Sequence, residues 1–469
     1  MANRGNFSGR IGFILAAAGS AVGLGNIWRF PYLAGQNGGA MFLIIYLACI
    51  FLLCYPVMVG EVAIGRAAQR DAFGSYAKFG GEKWGWLGFM GIFAGILILS
   101  FYNVVAGWAF GYFLNITFGD LLSHSDFSAF FSTFVNDIID FSSWEGFSYS
   151  NLLFSLVFMG LTALIVSQGI QKGIEAANKI MMPSLYLILI GLIIYSLTLP
   201  NAIEGVKFYL IPDFDEISMG TISAALKQAF FSLSLGMGAL ITYGSYLGKN
   251  QKISGSSAII SIADSSVAFM AGLMVFPLVF SQHIDPTTRG PELVFIALPK
   301  VFVDMGPIIG RLVGGSFFLL LCFAALTSTV SLLEVPVAYY VDQKKFPRKP
   351  VVWALALFIF LAGIPSMMSQ GMIPSLNKLS FYGDRDFLTF ISDMSDLLLT
   401  IGGCLMCLFI RYRWKLFNMH AELEQGDPGF RSRFVRRYLD FTITWICPIL
   451  LGAMSIFIIL ENFFDIVLF

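Results

Sequence analysis

The residues best placed to do chemistry in this chain are polar groups set deep in apolar sequence. Gly19-Ser20-Ala21-Val22-Gly23-Leu24-Gly25-Asn26-Ile27-Trp28-Arg29-Phe30-Pro31 lies within the first long apolar segment, about residues 11 to 33. Gly23 and Gly25 weaken a helix at mid-span, and Asn26 brings an amide to the same depth. Irregular backbone is tolerated there only where it faces protein or a water-filled cavity. A second such stretch, Phe230-Phe231-Ser232-Leu233-Ser234-Leu235-Gly236-Met237-Gly238, follows five apolar segments later. A broken helix presents N–H groups on one side of the break and carbonyls on the other. The N–H end suits an anionic group; the carbonyls suit a small hard cation or an ammonium. Two breaks together can hold a zwitterion and a cation. Taken singly, each stretch also reads as a small-residue packing face.

Groups for covalent or acid–base catalysis are not assembled, so the sequence points away from an enzyme. His124, His283 and His420 fall at or beyond the ends of apolar segments. Cys404-x-x-Cys407 has no second Cys or His pair to complete a metal site and reads as helix packing.

The breaks must be held by a membrane bundle. Of 469 residues, 57% are hydrophobic and 12% charged, against about 25% charged in soluble domains. A formal net charge of zero gives no electrostatic case for a nucleic-acid partner. Arg4 and Arg10 are not followed by a cleavage site and a polar mature domain, so no cleaved signal peptide is expected. Roughly eleven apolar segments suit tilted helices, at about 11–33, 41–64, 87–117, 151–168, 180–199, 223–246, 257–281, 311–341, 350–369, 386–410 and 440–463. Lys and Arg gather in alternate loops, which places the N-terminus in the cytoplasm and the C-terminus outside the cell (inner) membrane. The outer loop at about 118–150 carries Asp120, Asp126, Asp137, Asp140 and Glu145 and no Lys or Arg. The stretch 282–310, with Pro286, Gly290, Pro291 and Pro299, reads as a bent hairpin rather than a span. The basic stretch 411–438 reads as a membrane-surface helix or loop.

The expected fold is an all-α polytopic membrane protein with a five-plus-five inverted repeat broken in helices one and six. Its divisions are a cytoplasmic N-terminus (1–10), a first repeat (11–199), an outer connection (200–222), a second repeat (223–410), and an inner loop with the eleventh helix (411–469).

Gly19 to Pro31 resembles the first-helix signature of the neurotransmitter:sodium symporter family. The resemblance continues through Asn37-Gly38-Gly39, Glu61 with Gly65-Arg66, Tyr102, Phe230 to Gly238, Thr242-Tyr243-Gly244-Ser245-Tyr246 and Ala324-Ala325-Leu326-Thr327-Ser328. Inverted repeats with broken helices are themselves described for that family. With eleven segments the chain looks like the prokaryotic amino-acid branch. The resemblance implies sodium-coupled import of an α-amino acid by alternating access. One sodium would lie at the Ala21 carbonyl, Asn26, Ser232 and Asp264, completed by the substrate carboxylate. A second would lie at the carbonyls of Gly19, Val22 and Ala324 and the hydroxyls of Thr327 and Ser328. These are oxygen-only sets, as a hard cation requires. The substrate carboxylate would meet Tyr102 and the N–H groups near Leu24 and Gly25. Its ammonium would meet carbonyls around Ala21, Phe231 and Ser234, with Ser20 and Ser232 beside the ligand. Ile98, Phe231, Met237, Ser328 and Leu332 would receive the side chain.

The same resemblance implies gates. Arg29 would close the outer side above Phe231, with a helix-ten acid left unassigned among Asp386, Asp393 and Asp396. Arg4, Phe7, Ser245, Tyr246 and Asp342 would form the inner gate, and Gly173 with Pro183 would mark where helix five unwinds. Monoamine carriers of the family have Asp where this chain has Gly23, so the ligand is expected to bring its own carboxylate. The apolar pocket implies a hydrophobic side chain, aliphatic or aromatic. Tyr46, Gln228 and Ser232 match the family's chloride ligands, but the helix-seven Ser is Ala268 and Asp264 stands one turn earlier. Chloride is therefore not expected, and Asp264 on the empty carrier would be free to take up a proton. A sodium-conducting channel or a membrane substrate sensor on the same scaffold is the alternative reading.

Overall fold

The computed structural model describes residues 5–124, 126–136, 151–287, 293–430 and 434–464. Arg4, Asp137, Asp140, Glu145, Arg289, Gly290, Pro291, Arg431 and Arg433 lie outside the described residues. The described chain is helical almost throughout. The principal helices are α1 (Arg10–Ala21 and Gly25–Gln36, bent by 49°), α2 (Ala40–Ala68), α3 (Glu82–Thr117), α4 (Asn151–Ser167) and α5 (Ile170–Ser196). There follow α6 (Met219–Ser232 and Ala239–Gly244), α7 (Ile253–Ser281), α8 (Pro307–Gln343), α9 (Arg348–Met368), α10 (Phe387–Trp414) and α11 (Phe434–Phe464). Eight of these are long and apolar enough to cross a membrane on their own, and the bent α1 makes nine. Helix α4 has 17 residues and α6 is divided into 14 and 6. Length alone therefore does not deliver the count of eleven.

Helices α3 and α8 form the centre. Their apolar windows are 72% and 78% buried, against 33% for α5 and α11, which turn most of their surface outward. Without a hydrophobic driving force between helices in lipid, close approach through small residues carries the packing. A side chain at Gly314 of α8 would lie 2.4 Å from Ile116 of α3. One at Gly107 would lie 2.1 Å from Ser155 of α4.

The segments outside these helices refine the sequence reading. The stretch 282–310 is not a span. Its described part forms a wide turn, Leu293–Ala297, and a helix, Leu298–Asp304. Phe295 packs edge-on against Trp108 and Tyr112 of α3, with ring centres 5.8 and 5.1 Å apart. The stretch 411–438, read as a membrane-surface helix or loop, contains a helix that packs one face on the bundle. Helix Leu416–Gly426 buries Met419, His420, Glu422 and Leu423 against the bundle. Arg66, near the C-terminal end of α2 and fully buried, holds it there. Its Nε lies 2.7 Å from Glu422 Oε1, and its other nitrogens donate to the carbonyls of Gln251 and Glu422. Lys249 reaches the same carboxylate at 3.0 Å from the half-exposed side. Arg66 and Glu422 lie 356 residues apart in sequence, out of reach of a local pattern.

Removing one member of a buried pair strands the other charge, at about 3–5 kcal/mol, whereas an exposed pair contributes about 0–1 kcal/mol. Arg66→Ala is therefore expected to lower the thermal unfolding midpoint of the detergent-solubilised protein much more than Lys249→Ala does. Equal midpoints for the two variants would contradict this account of how the inner loop is held.

Candidate binding site between two broken helices

The first break is built by α1. Val22 leaves the helix in an extended conformation. The N–H of Gly23 then donates to Asn26 Oδ1 at 3.0 Å, so the Asn26 side chain caps the restarting half-helix. Glycine at 23 is a packing requirement, since a Cβ there would lie 2.5 Å from Ser328 Oγ and 2.6 Å from Tyr102 OH. The second break is built by α6. Ser234, Gly236 and Gly238 all have positive φ, at 55°, 81° and 77°. The Gly236 N–H donates to Glu61 Oε1 of α2 at 2.7 Å. Glu61 is thus a cap for the second break, a role its position within an apolar segment did not reveal.

The two breaks bond to each other. Ser234 Oγ donates to the Ser20 carbonyl at 2.9 Å, and Gln228 Nε2 donates to the Gly25 carbonyl at 2.7 Å. Between them lies a narrow cavity of about 20 Å³. Helix α1 lines it with Ser20, Ala21, Gly23 and Gly25, and α3 with Ile98 and Tyr102. Phe231, Ser232, Ser234 and Met237 come from α6, and Ser328 and Leu332 from α8. Every substrate-site residue expected from the sequence lines this cavity except Leu24. The Leu24 side chain is buried in the core, and only its N–H points to the site, donating to Tyr102 OH at 2.7 Å. Gly23 lines the cavity but was read in the sequence only as a mark of substrate class.

Two groups of oxygens flank the cavity. In the first, Asp264 of α7 is fully buried. Its Oδ1 accepts from Asn26 Nδ2 at 2.8 Å and from Ser232 Oγ at 2.7 Å, and its Oδ2 accepts from Tyr46 OH at 3.0 Å. All three donors are neutral. The second group lies where the α1 backbone opens beside α8. Thr327 Oγ1 lies 3.2 Å from the Val22 carbonyl and 2.9 Å from the Ala324 carbonyl. Ser328 Oγ lies 3.3 Å from the Ser20 carbonyl and 3.4 Å from that of Val22. Gly19 abuts the same place, since a Cβ on it would lie 3.3 Å from Thr327 Cβ. Carbonyls and hydroxyls gathered without nitrogen or sulfur are the ligands of a hard cation.

Both ends of the cavity are closed. On one side, Arg29 Nη2 lies 2.8 Å from Asp396 Oδ2, and its guanidinium sits 4.7 Å above the Phe231 ring. This assigns the helix-ten partner that the sequence left open. Asp393 instead accepts from Tyr382 OH at 2.8 Å, and Asp386 caps α10 at Thr389. The spacing of these acids puts Asp393 and Asp396 on neighbouring turns of one helix face, so sequence alone could not choose between them. Beyond the pair, a cavity of about 300 Å³ reaches Arg29, Tyr32, Trp108 and Asp393.

On the other side, the Phe7 N–H donates to the Tyr246 carbonyl at 3.2 Å, and its ring packs edge-on against Tyr243 and Tyr246. Ser245 Oγ bonds to the Thr242 carbonyl at 2.6 Å. Arg4 lies outside the described residues, and Asp342 accepts from the Asp71 N–H at 3.0 Å. The sequence missed two polar contacts here. Tyr246 OH donates to Glu334 at 2.7 Å, and Arg348 grips the same carboxylate through both terminal nitrogens. The Ser8 N–H donates to Glu175 of α5 at 2.8 Å, at the end of the wide turn Ile170–Glu175. Each partner lies in a separate segment, out of reach of a local pattern.

A sequence model described as the sodium:neurotransmitter symporter family matches residues 4–133 and 120–463. An uncharacterised sodium-dependent transporter of Bacillus subtilis, YhdH, is 38% identical over 94% of this chain and 95% of its own length. A second uncharacterised sodium-dependent transporter, from Haemophilus influenzae, is 30% identical over 97% and 98%. The crystal structure of MhsT in complex with L-phenylalanine aligns with a TM-score of 0.87 and 42% identity, over 97% of this chain and 99% of that one. Two broken helices enclosing a closed, oxygen-flanked cavity thus occur in a chain that matches the family model from end to end, and the protein is a multi-pass membrane transporter of the sodium:neurotransmitter symporter family.

Proposed function

We propose that the protein imports a hydrophobic α-amino acid together with sodium, one ion at each of the two oxygen sets, by alternating access and without chloride. The observation that carries this reading is the pairing of the two breaks around one closed cavity, apolar on one side and polar on the other. Tyr102 OH and the Leu24 N–H now satisfy each other, and both would turn to a substrate carboxylate. The carbonyls at the breaks would take its ammonium. Ile98, Phe231, Met237 and Leu332 offer no polar side-chain partner, so a hydrophobic side chain fits; Met237 adapts to several shapes. MhsT, crystallised with L-phenylalanine, supports an amino acid as the ligand class. The sodium-dependent relatives support sodium as the coupled ion.

Asp264 and the substrate carboxylate would neutralise the cation at Asn26 and Ser232. Thr327, Ser328 and the carbonyls of Gly19, Val22 and Ala324 would hold a second cation. Tyr46 and Ser232 donate to the Asp264 carboxylate, which supports a fixed negative charge where relatives bind chloride. An intramembrane carboxylate is costly without a partner, so the emptied carrier would return with a proton on Asp264. In the cycle, Arg29–Asp396 would part to admit substrate. Release of Phe7, Ser8 and the Glu334–Arg348 pair would then open the opposite, cytoplasmic side. The two five-helix repeats, 11–199 and 223–410, would be the bodies that move.

Three outcomes follow for purified protein in proteoliposomes. Thr327→Ala removes one cation ligand and should raise the sodium half-saturation of uptake about five- to thirty-fold, on the basis that one oxygen contributes about 1–2 kcal/mol; equal wild-type uptake in sodium and choline buffers would end the symport reading. Unlabelled leucine, phenylalanine or tryptophan should displace a labelled amino acid better than dopamine or betaine, and the reverse order would exclude the assigned substrate class. Replacing chloride by gluconate on both sides should leave uptake unchanged while Asp264→Asn impairs it. Strict chloride dependence of the unmodified protein would remove Asp264 from this role.

A further inference from the structure

Helix α5 brings to the neighbourhood of Thr327 a polar atom that its surroundings leave unused. Asn178 is fully buried. Its Nδ2 donates one turn back to the Ile174 carbonyl at 2.8 Å, which fixes the amide plane. Its Oδ1 has no hydrogen-bond partner among the described residues. That oxygen faces α1 at the break: a Cβ built on Gly19 would lie 1.9 Å from it and 3.3 Å from Thr327 Cβ. The amide oxygen and the side chain of Thr327 therefore flank the same backbone position. A buried acceptor without a donor is costly, and the nearby hydroxyl has no proton to spare. Thr327 Oγ1 already faces the carbonyls of Val22, Phe323 and Ala324. An acceptor among acceptors is satisfied by a cation.

We propose that Asn178 supplies a further oxygen to the cation held by Gly19, Val22, Ala324, Thr327 and Ser328, so that α5 forms a third wall of that site. The inference rests on the reading of those residues as a sodium site. It also gives α5 a stake in occupancy. Asn178 lies three residues beyond the wide turn Ile170–Glu175 and between Gly173 and Pro183. A bound ion would tie this part of α5 to α1 and α8, and an empty site would release it.

The test is sodium binding by the full-length protein in detergent. It is read as the sodium dependence of labelled amino-acid binding and as the sodium-induced rise in melting temperature without substrate. Asn178→Leu keeps the size and removes the oxygen; Asn178→Asp keeps an oxygen; Thr327→Ala is the reference. Asn178→Leu should raise the sodium half-saturation about five-fold in both readouts, and Asn178→Asp should hold it at or below the wild-type value. If Asn178→Leu does not fold, Asn178→Ala is read in the same way. A Thr327→Ala shift without a shift in the oxygen-less Asn178 variants would overturn the assignment of Asn178 alone, leaving it a packing contact against the Gly19 Cα–H. No shift in Thr327→Ala would overturn the sodium site itself and this inference with it.

Discussion

An unpaired backbone group in the hydrocarbon of a bilayer costs several kcal/mol, and this bundle stops its helical ladder twice at depth. Everything around the two breaks answers that cost. Asn26 caps the restart of α1, and Glu61 caps the turn of α6. Ser234 of α6 donates to the Ser20 carbonyl at the end of the first half of α1, and Gln228 adds a second donor at the Gly25 carbonyl. Thr327 and Ser328 of α8 approach those at Val22 and Ser20. Each break is completed by groups from other helices as well as its own, so the site is a property of the assembled bundle. Thr327 Oγ1 and Ser328 Oγ carry one proton each yet face the carbonyls of Ser20, Val22, Phe323 and Ala324, so acceptors outnumber hydroxyl protons there. That spare capacity is the physical basis for reading the place as a cation and ammonium site.

Three buried ion pairs near the ends each join two different helices. Arg29 meets Asp396, Arg66 meets Glu422, and Glu334 meets Arg348. The first and third lie on opposite ends of the bundle, one beside Phe231 and the other beside Tyr246. Such pairs contribute little net stability after desolvation. They suit contacts that must form and part, because water entering on either side solvates both partners. Asp264 differs. Its donors are neutral, and under the proposed function a bound sodium would balance its charge.

Much of the site was legible in the sequence, because glycines and hydroxyl residues deep in apolar segments serve either close packing or a polar ligand. Residues between Ser20 and Gly25 and between Phe231 and Met237 do line one cavity, with Tyr102, Ser328 and Leu332. What stayed hidden was pairing at long range. The spacing of Asp386, Asp393 and Asp396 cannot say which one Arg29 reaches. The polar face of Leu416–Gly426 looks solvated until Arg66 is placed against it. The apolar segment 180–199 begins ten residues after α5 does at Ile170, because Lys172, Glu175 and Lys179 place charge in its first turns.

The central claim is that the two breaks hold the ligand carboxylate beside a cation, so that each strengthens the binding of the other. Sodium-dependent binding of L-phenylalanine compared with L-phenylalaninamide, which keeps the ammonium and ring but lacks the carboxylate, tests this directly. Sodium should raise the affinity for phenylalanine and leave that for the amide weak and nearly sodium-independent. Equal affinity and equal sodium dependence for the two ligands would contradict the claim.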